Sequence, residues 1–284
     1  MTAEAWWVIG RGFIDACVPY GCAALGGLVS ERSGVPNVAL EASLLVGALG
    51  ASVVVCAGGG VIAALVLAFV VGASVGAMHA VCTVIGRASS VVVGMALNLA
   101  ALGATRGFLR IVYGSSANGP SFETRLGPLG AAAVLATAAV AIALVIERTR
   151  AGVALRAVGE NHGLASSVGF PVGVVRAAAL GAGHGLSALG GACLCLGAGQ
   201  FQSQMSAGRG FLALALVILG RWEVVPTLVG AMALAALEAG EVFIQEAVGL
   251  PSEAVVALPF LAILPVLALG AGRMRGPRIP RFDR

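Results

Sequence analysis

The side chains able to do chemistry in this chain are few, and they sit inside apolar sequence. Glu41, in VPNVALEASLLVGA, is the only formal charge between Ser33 and Gly86. Asn37 precedes it by four residues, a spacing that predicts one shared helical face. Glu238, Glu241 and Gln245 follow the i, i+3, i+7 pattern of a polar stripe. Asn98 lies in MALNLAAL, and Gly208 and Arg209 lie in AGRGF, where a helix is interrupted. An acidic side chain within hydrocarbon costs about 3 kcal/mol, so these groups are expected to face a protein interior, an aqueous path or a subunit interface. Two roles fit Glu41, and the same two fit Asn98: a polar lining on a transport path, or a hydrogen bond between helices. Irregular backbone at membrane depth is tolerated only within protein or beside water, which makes Gly208 and Arg209 candidates for a gate or pathway element.

Other chemistries find no support. All 17 basic residues are arginine. Without lysine there is no phosphate loop ending in GK[ST], no Schiff base and no lysine general base. His79 and His184 have no further ligand at metal spacing. The six cysteines sit in apolar tracts without a CxxC pair and are expected as small core residues. No cluster of nucleophile, base and orienting group appears, so the chain is expected not to be an enzyme, and no cofactor or metal is expected in it.

The elements that must position these residues are membrane spans. A mean hydropathy of +0.99 with 11% charged residues defines an all-α, polytopic transmembrane bundle. Residues 1–284 read as one transmembrane domain. The first stretch reads as an uncleaved span. Further spans are expected at about 36–57, 61–85, 88–112, 127–146, 176–199, 224–248 and 254–272, each long enough to cross hydrocarbon roughly 30 Å thick. The run FLALALVILG at 211–220 is too short for a full span and predicts a half-helix or a crossing that begins in SAGRG. Counting it gives nine passages with the N-terminus outside. Arg11, Arg106, Arg110, Arg125 and Arg209 then lie outside and the other twelve of the 17 arginines inside, in keeping with the positive-inside bias. The arginine-rich tail 273–284 is expected in the cytoplasm, near anionic headgroups. The net charge of +4 comes largely from these arginines, and no nucleic-acid partner is expected. Gly72 to Gly76 and Gly181 to Gly185 are small-residue spacings that let helices approach closely in lipid.

Between two apolar tracts lies a polar island at about 148–174, expected to be cytoplasmic and to protrude far enough to dock into another protein. Gly159 and Gly169 are expected to turn the chain at either end of a docking helix. Glu160 and Asn161 are expected to cap it or bond a partner. Leu155, Leu164 and Phe170 are expected to supply apolar contact.

Three stretches, in order, resemble one family. GGLVSERSGVPNVALEASLLVGA at 26–48, AVGENHGLASSVGF at 157–170 and QMSAGRGFLALALVILGRWEVVPTLVGA at 204–231 are similar to segments of the membrane permease subunits of binding-protein-dependent ABC importers, in the branch serving ribose, other simple sugars and nucleosides. The likeness departs at Ala39 and Ala42, where glycine is usual, and at His162 and Leu164. It implies a subunit that forms, with a homologous second permease, the path for a small polar solute. ATP and Mg would be handled by separate cytoplasmic ATPase subunits, and an extracytoplasmic lipoprotein would deliver the solute, all in a bacterial plasma membrane. The alternative on the residues alone is a proton-coupled secondary transporter in which Glu41 or Glu238 carries the proton.

Overall fold

The computed structural model describes residues 3–241, 245 and 257–271. Helix α1 (Ala3–Arg32) is followed by α2 (Leu40–Cys56) and α3 (Val61–Ala80), which ends in one π-helical turn, Val81–Ile85. Next come α4 (Ser90–Tyr113), strand β1 (Asn118–Ser121) and α5 (Pro128–Arg148). Two short helices, α6 (Arg150–Glu160) and α7 (His162–Ser167), lead into α8 (Val172–Ala198). Strand β2 (Gln200–Gln202), α9 (Arg209–Leu219), α10 (Val224–Ala239) and α11 (Leu258–Ala271) complete the described elements. The structure is an all-α bundle, and five helices, α1, α3 with its π-turn, α4, α5 and α8, are long and apolar enough to cross a membrane. This is a multi-pass membrane protein.

Helix α8 is the centre, packed against α1, α2 and α3. It can approach so closely because facing positions lack side chains. A methyl on Gly76 would lie 2.6 Å from the Leu180 carbonyl oxygen, and one on Gly191 would overlap the carbonyl oxygen of Leu44. The expected stripe at Gly72 and Gly76 thus meets α8 directly, and Gly185 on α8 receives the ring of Phe69. In lipid such backbone approach substitutes dispersion contact for the missing hydrophobic drive.

β1 and β2 pair antiparallel at one end of the bundle, tying the end of α4 to the end of α8. The α6–α7 pair lies at the opposite end, where α5 stops and α8 begins. Thr149 caps α6 through its side-chain oxygen, which accepts from the Gly152 amide.

Two expected spans are broken helices. The span expected at 36–57 is helical only from Leu40; residues 34–38 lie outside any helix and pass through Pro36, whose ring nitrogen has no proton to donate, and Ala39 caps α2. Asn37 therefore does not share a helical face with Glu41, a correction to the spacing argument. The short run near 211–220 forms α9, 11 residues long and only about 16 Å, half the hydrocarbon thickness. A run of turns from Ser203 to Gly208 leads into it. Glu238 lies in α10, but Gly240 caps that helix, so Glu241 and Gln245 do not continue an unbroken stripe with it. The tail 273–284 and the expected span start at 254 lie outside the described residues.

Candidate functional site

The two broken helices meet. Glu41, in the first turn of α2, places its carboxylate at the N-terminus of α9. One oxygen accepts from the Ser206 hydroxyl at 2.5 Å and the Gly208 amide at 2.9 Å, and the other accepts from the Gly210 amide at 2.8 Å. These amides are among those an α-helix leaves without internal partners, and a carboxylate, which only accepts, suits them. Gly210 is required at this contact, since a methyl there would lie 2.6 Å from the Glu41 Cα.

Asn98 of α4 does the matching work for α2. Its side-chain oxygen accepts from the Ala42 amide at 2.9 Å, and its amide donates to the Val38 carbonyl at 2.9 Å. Both groups are orphans of the broken start of α2. Asn37 is fully buried, donates to the Ser30 hydroxyl at 3.1 Å and accepts from the Ala39 amide at 3.1 Å.

Arg209 points away from this junction. It pairs with Glu238, whose other oxygen accepts from the Tyr20 hydroxyl at 2.9 Å, and its guanidinium stands 5.9 Å from the centre of the Tyr20 ring. The pair joins α1, α9 and α10 and is mostly buried. Glu241 lies half-buried beyond the end of α10.

Glu41, Asn98 and Gly208 line a groove of about 460 Å³ together with Leu45, Leu99, Leu102, Gln204, Ser206, Ala207 and Phe211. The structure thus divides the expected pathway residues into three sets. Glu41, Asn98 and Gly208 share the groove, Arg209 and Glu238 form a separate ion pair with Glu241 near it, and Asn37 is buried within the α1–α2 connection. Gln204 and Phe211 were missed. Neither stands out against its neighbours, Gln204 among glutamines and serines and Phe211 within an apolar run.

A buried polar chain was also missed. The Ser90 hydroxyl donates to the Pro36 carbonyl at 2.6 Å and so accepts from His79 Nε2 at 3.0 Å. His79 Nδ1 is then left to accept from His184 Nε2 at 3.0 Å, and His184 Nδ1 to accept from the Ser43 hydroxyl at 2.5 Å. With both rings neutral every member has a partner, and four helices are joined to the connection that precedes α2. Among the described residues no group of three or more His, Cys, Asp or Glu side chains could hold a metal.

The polar island differs from the single docking helix expected for it. Gly159 lies inside α6 and is buried, and a methyl there would overlap the Arg32 carbonyl oxygen, so it is a packing residue and not a turn. Leu155 is also buried, because α6 turns its apolar face to the bundle. Asn161 caps α7 instead, its side chain accepting from the Leu164 amide at 3.0 Å. Gly169 does turn the chain, at φ +90°, where the Phe170 amide reaches back to the Ala165 carbonyl. Leu164 (63% exposed) and Val168 (67%) project from this short helix, Glu160 is exposed beside it, and Phe170 is half-buried.

The described residues thus form a multi-pass bundle in which the unwound start of α2 meets the half-length α9, with a short capped helix projecting from one end. Residues 12–267 match the family described as the permease component of the branched-chain amino acid transport system, and the chain belongs to that family. It is 31% identical over 235 residues to the guanosine ABC transporter permease protein NupQ of Bacillus subtilis, covering 74% of each chain. It is 32% identical over 235 residues to the putative glucose ABC transporter permease protein TsgC13 of Haloferax volcanii, covering 76% of this chain and 71% of that one. The nucleoside ABC transporter permease protein NupC of Lactococcus lactis is 28% identical over 285 residues, covering 90% and 89%. PsaBC from Streptococcus pneumoniae, solved in complex with Fab, shares the fold with a TM-score of 0.57 at 12% identity, over 99% of this chain and 98% of that one. The chain is therefore a permease subunit of an ABC-type importer, a transport component that forms a translocation path for a small polar solute with a partner ATPase.

Proposed function

We propose that this subunit imports a nucleoside or simple sugar across a bacterial plasma membrane, as one of a pair of homologous permeases served by two cytoplasmic ATPase subunits and an extracytoplasmic binding lipoprotein. The relatives that transport guanosine, nucleosides and glucose by name support the solute class. In this reading the N-terminus and the β1–β2 end face outward, and the α6–α7 end and the tail 273–284 face the cytoplasm. Residues 1–284 act as one transmembrane domain.

The observation that carries the coupling role is the seating of α6–α7. α6 is locked to the end of α1 at Gly159 and Arg32, while α7 offers Leu164 and Val168 to a partner. Closure of the ATPases can move the bundle only through an element rigid at one face and accessible at the other, and this pair has both properties. Arg32 in turn donates to the Trp222 carbonyl at 2.6 Å, and the Trp222 indole donates to Glu31 at 2.6 Å, so the push reaches the turn between α9 and α10. Glu41, Asn98 and Gly208 line the path, and Arg209, Glu238 and Glu241 brace the helices beside it.

The test is solute uptake by the assembled complex in proteoliposomes. Leu164→Glu should leave the permease inserted but lower association with the ATPase and solute-dependent ATP hydrolysis. Normal hydrolysis and association in that variant would reduce α7 to a connecting segment. Uptake by this chain under a proton gradient, without nucleotide or partners, would contradict the importer reading.

A further inference from the structure

We propose that Gln204 is the residue that recognises the solute in the groove, and that it reads the donor–acceptor edge of a nucleobase. This deepens the reading of the groove as path lining and rests on it.

The inference comes from asking which polar groups in the groove are uncommitted. Both Glu41 oxygens are taken by the start of α9, and both polar atoms of Asn98 are taken by the start of α2. The Ser206 hydroxyl and the Gly208 amide are engaged with Glu41. The acidic and amide residues that stand out in the sequence are thus structural members of the wall. Gln204 is different: it lines the groove, is exposed, and its side-chain amide makes no hydrogen bond to any described residue.

Its placement is held from both sides. Immediately before it, the Ser203 amide donates to the Ala117 carbonyl at 2.7 Å and the Ser203 hydroxyl accepts from Arg106 at 2.9 Å. Just after it, Ser206 and Gly208 are fixed to Glu41. Between these clamps Gln204 has φ +65° and Ala207 φ +47°, left-handed conformations that cost a non-glycine residue energy and persist where surrounding contacts enforce them. The result is a fixed backbone that places the Gln204 side chain in a groove also lined by Leu45, Leu99, Leu102 and Phe211.

A carboxamide offers a donor and an acceptor side by side, the complement of the paired donor and acceptor on a nucleobase edge. The apolar wall, with one aromatic ring, suits the flat face of the same base. A sugar hydroxyl could use either half of the amide but leaves the apolar wall without a counterpart.

The experiment uses the full complex of this permease, its second permease, the ATPase and the binding lipoprotein in proteoliposomes, with labelled guanosine and labelled glucose as separate probes. Losing the paired bonds in Gln204→Leu should lower the maximal rate of guanosine uptake about tenfold while ATP hydrolysis stimulated by the loaded binding protein stays within about twofold. Gln204→Asn, which keeps the amide and tolerates the left-handed backbone, should recover part of the rate. Gln202→Leu, on β2 outside the groove, should change nothing. Unchanged guanosine uptake in Gln204→Leu overturns the assignment, as does a fall in hydrolysis parallel to uptake or a loss confined to glucose. If the unaltered complex moves neither probe, the solute class proposed above fails and this assignment fails with it.

Discussion

Replacing Glu41 by glutamine removes little volume and tests whether its carboxylate holds the two broken helices together. The side chain now accepts three hydrogen bonds, from Ser206, Gly208 and Gly210. An amide can present one oxygen, so at best it keeps the two bonds made to one carboxylate oxygen and turns its NH2 toward the Gly210 amide, donor against donor. A hydrogen bond to a charged group contributes about 1.5–3 kcal/mol net, and the favourable charge at a helix N-terminus adds about 0.3–1 kcal/mol. Glu41→Gln should therefore destabilise the folded bundle by about 2–4 kcal/mol, or an apparent midpoint lower by about 5–10 °C for a chain of this size. The buried thiols of Cys22, Cys193 and Cys195 provide the assay, because a thiol-reactive fluorophore in detergent reports their exposure as the protein unfolds at a fixed heating rate. Glu41→Asp, one methylene short of the same amides, should fall by a similar amount. A Glu41→Gln midpoint within about 1 °C of the unaltered protein would refute the capping account, since at least one bond to a charged group must be lost.

Gly191→Ala should abolish accumulation of folded protein, because its methyl would overlap the Leu44 backbone, whereas Gly103→Ala in α4, with nothing within 4 Å, should be neutral or stabilise by up to about 1 kcal/mol. Membrane-fraction yield and the same thiol assay separate the two. His184→Leu would leave His79 Nδ1 without its partner and the Ser43 hydroxyl with only the longer bond to the Ala39 carbonyl at 3.3 Å, and should lower stability by about 1–3 kcal/mol. A midpoint equal to that of the unaltered protein would show that the histidine chain contributes nothing to holding α2, α3, α4 and α8 together.

The helical spans were legible because hydropathy reports burial in lipid directly. The expected starts and ends of α3, α4, α5 and α8 agree with the structure within a few residues. Hydropathy is indifferent to backbone conformation, and there the reading failed. Val38 and Ala39 are apolar, so the unwound residues 36–39 passed as the start of a helix, although Pro36 stood at their head. The half-length of α9 was visible, since its apolar run is short and a glycine pair flanks Arg209. Side-chain partnerships were not, because they join residues distant in sequence: Glu41 meets Ser206, His79 meets His184, and Gly159 meets Arg32. For that reason Gly159 read as a turn when it is a contact. Glu41 and Asn98 were singled out because polar groups are conspicuous among apolar neighbours, and Gly208 because it interrupts a helix, while Gln204, in a segment with Gln200, Gln202, Ser203 and Ser206, carried no such contrast.

The meeting of α2 and α9 also has an electrical consequence. Each helix N-terminus carries about half a positive charge, so two of them abutting in a low-dielectric interior amount to roughly one. The Glu41 carboxylate between them supplies about one negative charge, and Arg209 and Glu238 cancel each other nearby. The charges at the α2–α9 junction therefore nearly cancel, and the junction adds little net charge to the path beside it. Uptake of an uncharged solute through such a path should proceed at the same rate with and without an imposed potential. A translocated elementary charge would instead feel about 2.3 kcal/mol per 100 mV, enough to change the rate severalfold.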